Sequence, residues 1–362
     1  MTFLLFLAGL VSLVVGAELL VRGASKLALS FGISPLVVGL TIVAFGTSAP
    51  EVAVSVGAVL DGRTDIAIGN VVGSNIFNVL FVLGVSALIT PLVVNIQLIR
   101  QEVPVMIGAS LLLLAMAWDG RLGVVDGAIL FGLLLAYTVF LVVQSRKQTR
   151  EAFEEYALEV KPAKAGGWDA RLPVQLLLIA AGLVFLVLGS EWLVSASVSF
   201  AKSMGVSDLV IGLTIVAAGT SMPEVATSIT AAIKGERDIA VGNVVGSSTF
   251  NILGCLGISG LVSGSTGLVV PPALLNFDIW VMLAVAFACL PVFLSEHSIA
   301  RWEGGVFVAY YGAYVTYLIL AAQQHDALGS FSSAMLFFVI PITVLTFLVV
   351  LRRAGSGPNH AR

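Results

Sequence analysis

The sequence predicts an all-α membrane protein with many membrane-spanning helices. Apolar residues make up 58% of the 362 residues and charged residues only 11%, whereas soluble domains carry about half apolar and about a quarter charged residues. The mean hydropathy is +1.05, and long apolar stretches recur along the whole chain. This composition excludes a soluble enzyme. With a net charge of −3 and no basic block, it also gives no footprint for a nucleic-acid partner.

Eleven stretches can cross a bilayer, whose apolar core of about 30 Å takes about 20 helical residues. They cover residues 2–21, 34–60, 66–90, 103–118, 123–143, 173–194, 207–233, 239–263, 277–295, 304–322 and 332–351. The first lacks the basic start and the A-x-A cleavage site of a signal peptide, so we interpret it as a retained helix. Residues 144–172, which contain six Lys and Arg, are interpreted as a loop.

The distribution of the 18 Lys and Arg residues predicts which side of the membrane each end of the chain faces. If the N-terminus lies outside, only Arg63, Arg121 and Lys202 fall on the outer side. Cytoplasmic loops carry an excess of Lys and Arg. We therefore expect an outside N-terminus, a cytoplasmic loop at 144–172 and a cytoplasmic C-terminus, in the cell (inner) membrane.

The chain contains an internal repeat. Residues 32–91 and 205–264 align without a gap, and 36 of 60 positions are identical. The matches include Thr, Ser, Pro, Glu and Asn, so two unrelated apolar helices do not explain them. Weaker matches extend outward and give five helices to each half. An odd number inverts the second copy relative to the first, which is the architecture of many secondary transporters.

The repeat divides the chain into four parts. We predict a first five-helix repeat, a cytoplasmic loop, a second inverted five-helix repeat, and an eleventh helix with a cytoplasmic tail, at residues 1–143, 144–172, 173–322 and 323–362.

Two glutamates, Glu51 and Glu224, lie in the middle of apolar stretches, in the segments GTSAPE and GTSMPE. A carboxylate in hydrocarbon costs several kcal/mol and marks a functional site. A protonated acid or an ion pair is the alternative, but no Lys or Arg lies at a similar depth in the repeat helices. Two unpaired carboxylates at equivalent positions therefore predict a bound cation.

The residues around Glu51 have the chemistry of cation ligands. Thr47, Ser48 and Glu51 share one helix face. Pro50 has no N–H and disrupts the helix behind it, which frees backbone carbonyls. Carbonyls, hydroxyls and carboxylates are hard oxygen ligands of the kind that Ca2+ prefers. The second copy repeats this arrangement with Thr220, Ser221, Pro223 and Glu224.

Each following helix carries a polar stripe at i, i+4 and i+8, formed by Asn70, Ser74 and Asn78 in one copy and by Asn243, Ser247 and Asn251 in the other. The alternatives are ion ligation and hydrogen bonding between helices. We favour hydrogen bonding for Asn70 and Asn243 and ligation for Asn78 and Asn251. The two serines fit both roles.

The paired GTSxPE segments, each followed by GNVVGS(N/S)xFN, resemble the alpha-repeats of the sodium/calcium exchanger superfamily, the cation/Ca2+ antiporters. The resemblance covers residues 1–322 and implies ten core helices that alternate between two cation-exchanging states. It implies Ca2+ ligation by Glu51, Glu224, Thr47 and Thr220. It also implies sodium sites that include both glutamates, Asn78 and Asn251 as completing residues, and the following further groups: the side chains of Ser48, Ser221, Ser74 and Ser247, and the carbonyls of Ala44 and Ala217.

The sequence departs from that pattern at one pair of positions. Sodium-coupled members typically carry Asp at one of the positions matched by Asn78 and Asn251, and here both are Asn. Two carboxylates balance one Ca2+ but leave several Na+ ions with excess positive charge. We expect a Ca2+/Na+ antiporter that exports Ca2+, with H+ or K+ coupling as the alternative. Ca2+ and Na+ are the expected substrates, the lipid bilayer is the surrounding partner, and no cofactor is expected.

Two other classes of function fit less well. A cation channel usually builds its filter as a ring from several subunits, whereas this chain supplies both halves of the predicted site. A membrane enzyme would need a nucleophile–base pair or an HExxH motif, and the serines near Glu51 have no His partner in the sequence.

Overall fold

The computed structural model describes residues 2–31, 33–156, 171–204, 217–295 and 297–355. The helices within these ranges are α1 Thr2–Phe31, α2 Pro35–Thr47, α3 Ala49–Leu60, α4 Thr64–Ile89, α5 Leu98–Asp119, α6 Val124–Tyr156, α7 Leu172–Ser203, α8 Met222–Ile233, α9 Arg237–Val262, α10 Leu274–Leu294, α11 Arg301–Ala322 and α12 at 327–355. A one-turn helix, Ala217–Gly219, precedes α8.

The all-α, polytopic membrane class is confirmed. Nine helices of the described part are long and apolar enough to cross a membrane, and the bent pair of α2 and α3 adds a tenth span. These ten correspond to ten of the eleven predicted stretches. In the remaining stretch, 207–233, residues 207–216 lie outside the described ranges.

Three helices extend well past their predicted ends. Helix α7, predicted to end at residue 194, continues to Ser203. Helix α1 continues to Phe31, and α6 continues to Tyr156, into the segment predicted as a loop from 144 onward. Apolar stretches mark only the hydrocarbon core, whereas backbone hydrogen bonding continues the helix into the interface, where polar side chains meet water. The predicted loop therefore begins too early, and its residues 157–170 lie outside the described ranges.

Capping residues and glycine turns determine where the helices that contain the repeated motifs begin and end. Ser34 caps α2 by accepting a hydrogen bond from the Val37 N–H, and Pro35 occupies the first turn, where its missing N–H costs nothing. The turns from α3 to α4 and from α8 to α9 each contain a glycine with positive φ, Gly62 at 75° and Gly235 at 81°. Glycine adopts that conformation without steric cost.

Four two-residue strands join the repeats reciprocally. They are β1 Leu92–Val93, β2 Arg121–Leu122, β3 Leu268–Val269 and β4 Ser298–Ile299. Strand β1 pairs with β4 and β2 pairs with β3, both antiparallel. By sequence position β3 is the counterpart of β1, and β4 is the counterpart of β2. Two copies related by a two-fold axis would pair in this way.

Equivalent helices α1 and α7 pack closely because glycines lie at their contact. A Cβ on Gly16 would lie 2.8 Å from the Gly182 carbonyl oxygen, and a Cβ on Gly9 would lie 2.9 Å from the Gly189 carbonyl oxygen. No real Cβ approaches a backbone atom so closely, so larger residues would force the helices apart. Small residues of this kind let membrane helices approach each other.

Helices α4 and α9 form the centre of the molecule. In their most apolar windows 72% and 89% of residues are buried, against 6% for α11 and 0% for α12. The polar stripes therefore lie on the two most buried of the nine long apolar helices in the described ranges, whereas α12 lies exposed at the edge of the helix bundle.

Candidate cation site

The predicted site begins at a break between α2 and α3. Ser48 lies between the two helices with φ −82° and ψ 6°, and their axes bend by 42°. Pro50 follows in the first turn of α3 and cannot donate to the Gly46 carbonyl, as the sequence predicts. The second copy has the same break, with Ser221 at φ −88° and ψ 11° before α8. At each break a Thr and a Ser side chain precede the new helix and a Glu lies in its first turn.

Each glutamate is held by a serine of the other repeat. The Ser48 hydroxyl donates to Glu224 Oε1 over 3.0 Å, and the Ser221 hydroxyl donates to Glu51 Oε1 over 2.8 Å. The Ser221 and Ser74 hydroxyl oxygens are 3.1 Å apart. All five side chains are buried to within 1% of full burial. The structure thus brings both carboxylates into one site between the repeats.

The threonines are also held across the repeat boundary. Thr47 donates to Asn243 Oδ1 over 3.1 Å, and Thr220 donates to Asn70 Oδ1 over 3.4 Å. The Thr47 hydroxyl oxygen lies 3.3 Å from that of Ser247. This explains the first residue of each polar stripe, since Asn70 and Asn243 bond between helices, as the sequence suggested.

Several buried oxygens of the site have no hydrogen-bond partner in the described part of the chain. They are Oε2 of Glu51, Oε2 of Glu224, Oδ1 of Asn251 and Oδ1 of Asn78, and the Asn78 amide nitrogen is also unpartnered. Leaving a buried polar group unpaired costs about 1–3 kcal/mol, and more when it is charged. Unpaired oxygens of carboxylates and amides fit a hard cation.

The side-chain amides of Asn78 and Asn251 each lie one helical turn beyond a serine of the site. Asn78 follows Ser74 by one turn on α4, and Asn251 follows Ser247 on α9. One turn beyond Asn251, the Cys255 thiol donates to the Glu51 carbonyl over 3.4 Å. Asn251 therefore lies on the face of α9 that is directed at the glutamate segment.

The remaining predicted ligands are backbone carbonyls. The Ala44 carbonyl accepts from the Ser48 N–H over 3.0 Å and lies 3.4 Å from the Thr47 hydroxyl. Ala217 lies in the one-turn helix before Thr220. No group of three His, Cys, Asp or Glu converges within the described residues.

The two symmetric halves of the site differ in exposure. Thr47 and Asn243 are fully buried, whereas their counterparts Thr220 and Asn70 are only half-buried. Asn243 lies near the end of α9 that follows the Gly235 turn, and Asn70 near the end of α4 that follows the Gly62 turn.

Three groups of the site were not singled out from the sequence. Ser55 and Ser228 accept from the amides of Asn70 and Asn243, each over 3.0 Å, and Asn75 bonds to Asn251. The sequence contains one signal for them: Ser55 and Ser228 each lie four residues after a site glutamate, and Asn75 lies within the repeated motif. Serines are too common in membrane helices to be assigned without contacts.

The family model described as sodium/calcium exchanger protein matches residues 1–143 and 174–320. The chain belongs to the sodium/calcium exchanger family. The match covers both repeats and stops short of α12, and members of this family are cation/Ca2+ antiporters.

Individual relatives agree with the family assignment. The sodium/calcium exchanger MaX1 of Methanosarcina acetivorans is 33% identical over 87% of this chain and 98% of its own length. The inner membrane protein YrbG of Escherichia coli is 34% identical over 78% of this chain and 85% of its own. A solved structure of the sodium-calcium exchanger NCX_Mj matches with a TM-score of 0.72 and 29% identity, over 89% of this chain and 97% of that one.

Proposed function

We propose that this exchanger-family protein exports Ca2+ in exchange for Na+ by alternating access. The observation that carries the proposal is a pair of fully buried carboxylates, each with one oxygen bonded to a serine of the opposite repeat and one oxygen without a partner among the described residues. The proposed ligands are the side chains of Glu51, Glu224, Thr47, Thr220, Ser48, Ser221, Ser74, Ser247, Asn78 and Asn251, with the carbonyls of Ala44 and Ala217.

The charge of the site suits one divalent ion. Two ionised carboxylates in a low dielectric repel each other by about 3–4 kcal/mol at 4–6 Å with an effective dielectric near 20. One Ca2+ cancels both charges and takes up the unpartnered oxygens. Hydroxyl and amide oxygens complete the shell without adding charge.

Shared ligands explain how two ions exchange. Na+ accepts the same oxygens as Ca2+, so occupancy by one excludes the other. A ligand shifts an equilibrium between two states only by its differential affinity for them. The loaded protein must therefore switch between its two states more easily than the empty one.

The sodium preference draws support from the relatives, since both MaX1 and NCX_Mj are named as sodium/calcium exchangers. One observation favours a second candidate, a H+/Ca2+ exchanger. With Asn at both 78 and 251, the site has only two carboxylates, and protons on the glutamates would balance the charge when Ca2+ leaves.

The membrane arrangement is part of the proposal. The N-terminus lies outside the cell membrane and the C-terminus in the cytoplasm, with repeats at 1–143 and 173–322 and a cytoplasmic connection between them. The reciprocal strand pairs and the reciprocal serine–glutamate bonds support two inverted copies.

Transport by purified protein in liposomes tests the proposal. Uptake of radioactive Ca2+ is measured in three experiments, with a gradient of Na+, of H+ or of K+ across the liposome membrane. In each experiment the other two ions have equal concentrations on both sides. The proposal expects uptake driven by outward Na+ flow, and none without a counter-ion on the opposite side. Uptake driven only by the H+ gradient would select the second candidate, and Ca2+ flux without any counter-ion would indicate a channel.

A further inference from the structure

The two asparagines of the site, Asn78 and Asn251, are equivalent by sequence but not by contacts. Both are fully buried. The Asn251 amide nitrogen donates to Asn75 Oδ1 over 3.1 Å, whereas neither polar atom of Asn78 has a partner among the described residues. The difference comes from one position, because Asn75 has Ser248 as its counterpart in the second repeat.

Asn75 is itself fixed in one orientation. Its amide nitrogen donates to the Ser248 carbonyl over 3.0 Å. A backbone carbonyl only accepts, so the nitrogen of Asn75 must face it and the oxygen of Asn75 must face away. That oxygen can only accept, so Asn251 must turn its amide nitrogen toward Asn75. The Asn251 oxygen is left pointing away, with no partner in the described part of the chain.

In this series of hydrogen bonds, each amide nitrogen can only donate and each oxygen can only accept, so only one orientation of the two amides satisfies both bonds. An amide side chain has an oxygen and a nitrogen end of nearly the same shape, and only the oxygen can ligate a cation. The backbone carbonyl of residue 248 therefore determines, through Asn75, which end of Asn251 is available to the ions.

The second repeat lacks the corresponding device. The Ser248 hydroxyl donates to the Val244 carbonyl of its own helix over 2.9 Å. It supplies no amide that could orient Asn78, and neither end of the Asn78 amide has a partner in the described part of the chain.

We propose that Asn75 is a positioning residue that holds Asn251 with its oxygen toward the transported cation, and that Asn78 is not held in this way. The inference rests on the proposed function. It makes the site asymmetric, with a fixed amide oxygen from α9 and an amide from α4 that can turn either end toward the occupant.

Asn75→Ser is the test variant, because serine stands at the equivalent position 248 and is tolerated there. Without the amide, Asn251 loses its acceptor and can present its nitrogen to the site. The apparent KM for Ca2+ in the liposome assay is expected to rise on the order of tenfold, the loss of one ligand contact, with a smaller change in the maximum exchange rate. Asn75→Thr removes the amide in the same way and replaces the serine variant if that protein does not fold.

A double-mutant cycle separates positioning from packing. Asn251→Ala removes the ligand itself and should raise the apparent KM for Ca2+ to a similar extent. In that background, Asn75→Ser should have no further effect on the KM. Ser86→Ala is the control, because Ser86 is buried on the same helix and its hydroxyl donates to the Val82 carbonyl one turn earlier, its one side-chain bond among the described residues. The KM of this variant for Ca2+ should equal that of the original protein.

The outcomes distinguish the inference from the proposed function. If the unmutated protein shows no Ca2+ exchange, the proposed function fails. If it exchanges Ca2+ and Asn251→Ala raises the KM, but Asn75→Ser leaves it unchanged, only the inference fails. Additive effects of the two substitutions would also overturn it, since they would show that Asn75 acts independently of Asn251.

Discussion

At the scale of single residues, the site consists of two charges surrounded by neutral oxygens. Glu51 and Glu224 supply all of its negative charge among the described residues, and each is anchored through one oxygen only. The hydroxyls that anchor them come from the opposite repeat, so neither half of the chain forms the site alone.

The first prediction concerns these charges. Glu51→Gln and Glu224→Gln should each abolish Ca2+ exchange, because a neutral amide cannot balance a divalent ion in a low dielectric. The proteins should still fold, since removing a buried, unpaired charge relieves desolvation cost. Liposome uptake and thermal unfolding of the purified variants check both parts. Robust Ca2+ uptake by the double Gln variant would show that the ions bind elsewhere.

The second prediction concerns Asn251→Asp. In the protonated state the new carboxyl can donate to Asn75 Oδ1, as the Asn251 amide does now. In the ionised state it adds a third negative charge beside two others, which disfavours ionisation but strengthens Ca2+ binding. Ca2+ affinity should therefore rise with pH more steeply than in the unmutated protein, and Na+ should compete more strongly.

Ca2+ affinity measured at a series of pH values from about pH 6 to about pH 8.5, with and without Na+, checks this prediction. Glu102 is a buried acid outside the site, and Glu102→Gln serves as the control for unrelated titration. Identical pH and Na+ dependence before and after the Asn251 substitution would mean that residue 251 does not face the ions.

At the scale of helices, a second pair of acids ties the outer helices of each repeat together. The Tyr137 hydroxyl of α6 donates to Glu102 of α5. At the equivalent place in the other repeat, the Tyr314 hydroxyl of α11 donates to Asp278 of α10 over 2.8 Å. Both acids end a π-helical turn. Neither pair was predicted, because an acid and a tyrosine separated by 35 or 36 residues give no local pattern.

The third prediction concerns this contact. Glu102 is fully buried and also accepts from Gln97 and Gln101, each over 2.8 Å. Tyr137→Phe leaves a buried carboxyl with one donor fewer and should destabilise the protein by about 1–3 kcal/mol. Tyr314→Phe is the matched variant and should cost less, because Asp278 is only half-buried.

Thermal unfolding in detergent, at equal lipid and salt content, measures the difference between the two tyrosine variants. An unchanged midpoint for Tyr137→Phe would show that the hydroxyl contributes nothing to packing of α5 against α6. A larger loss for Tyr314→Phe would contradict the argument from burial.

At the scale of the whole molecule, two similar halves form an asymmetric protein. The strand pairs and the serine–glutamate bonds are reciprocal, but α12 has no counterpart among the described residues. One ion pair also lacks symmetry, since Lys234 contacts Glu18 of α1, while their counterparts by position, Asp61 and Glu191, are both acidic.

The fourth prediction concerns orientation. Single cysteines at residues 166 and 362 should be labelled from the cytoplasm, and a cysteine at residue 63 should be labelled from outside. In the predicted arrangement most Lys and Arg lie on the same side of the membrane as residues 166 and 362, and this is the cytoplasmic side. The background lacks Cys289 and Cys255. Because the Cys255 thiol touches the Glu51 carbonyl, transport by that background must be confirmed first. Labelling of 166 and 362 from opposite sides would contradict the eleven-span arrangement.

Much of the fold was predictable because membranes impose simple rules. Ten of the predicted spans correspond to helices in the described ranges, since each span must be a helix of apolar residues. The helix ends at Phe31 and Tyr156 were not predictable, because polar residues beyond the hydrocarbon core carry no hydropathy signal. The break at Ser48 was predictable from Pro50, whose chemistry is local.

The sequence by itself determined the chemistry of the site: two unpaired acids in apolar stretches, the proline breaks, and a repeat that places both copies in equivalent positions. Only the tertiary structure decided which groups meet. The bonds from Ser48 to Glu224, from Thr47 to Asn243 and from Asn251 to Asn75 join residues more than 170 positions apart. A repeat shows that two segments are alike, but which atoms they share depends on how whole helices pack. The single difference between Asn75 and Ser248 acquires its consequence only through that packing.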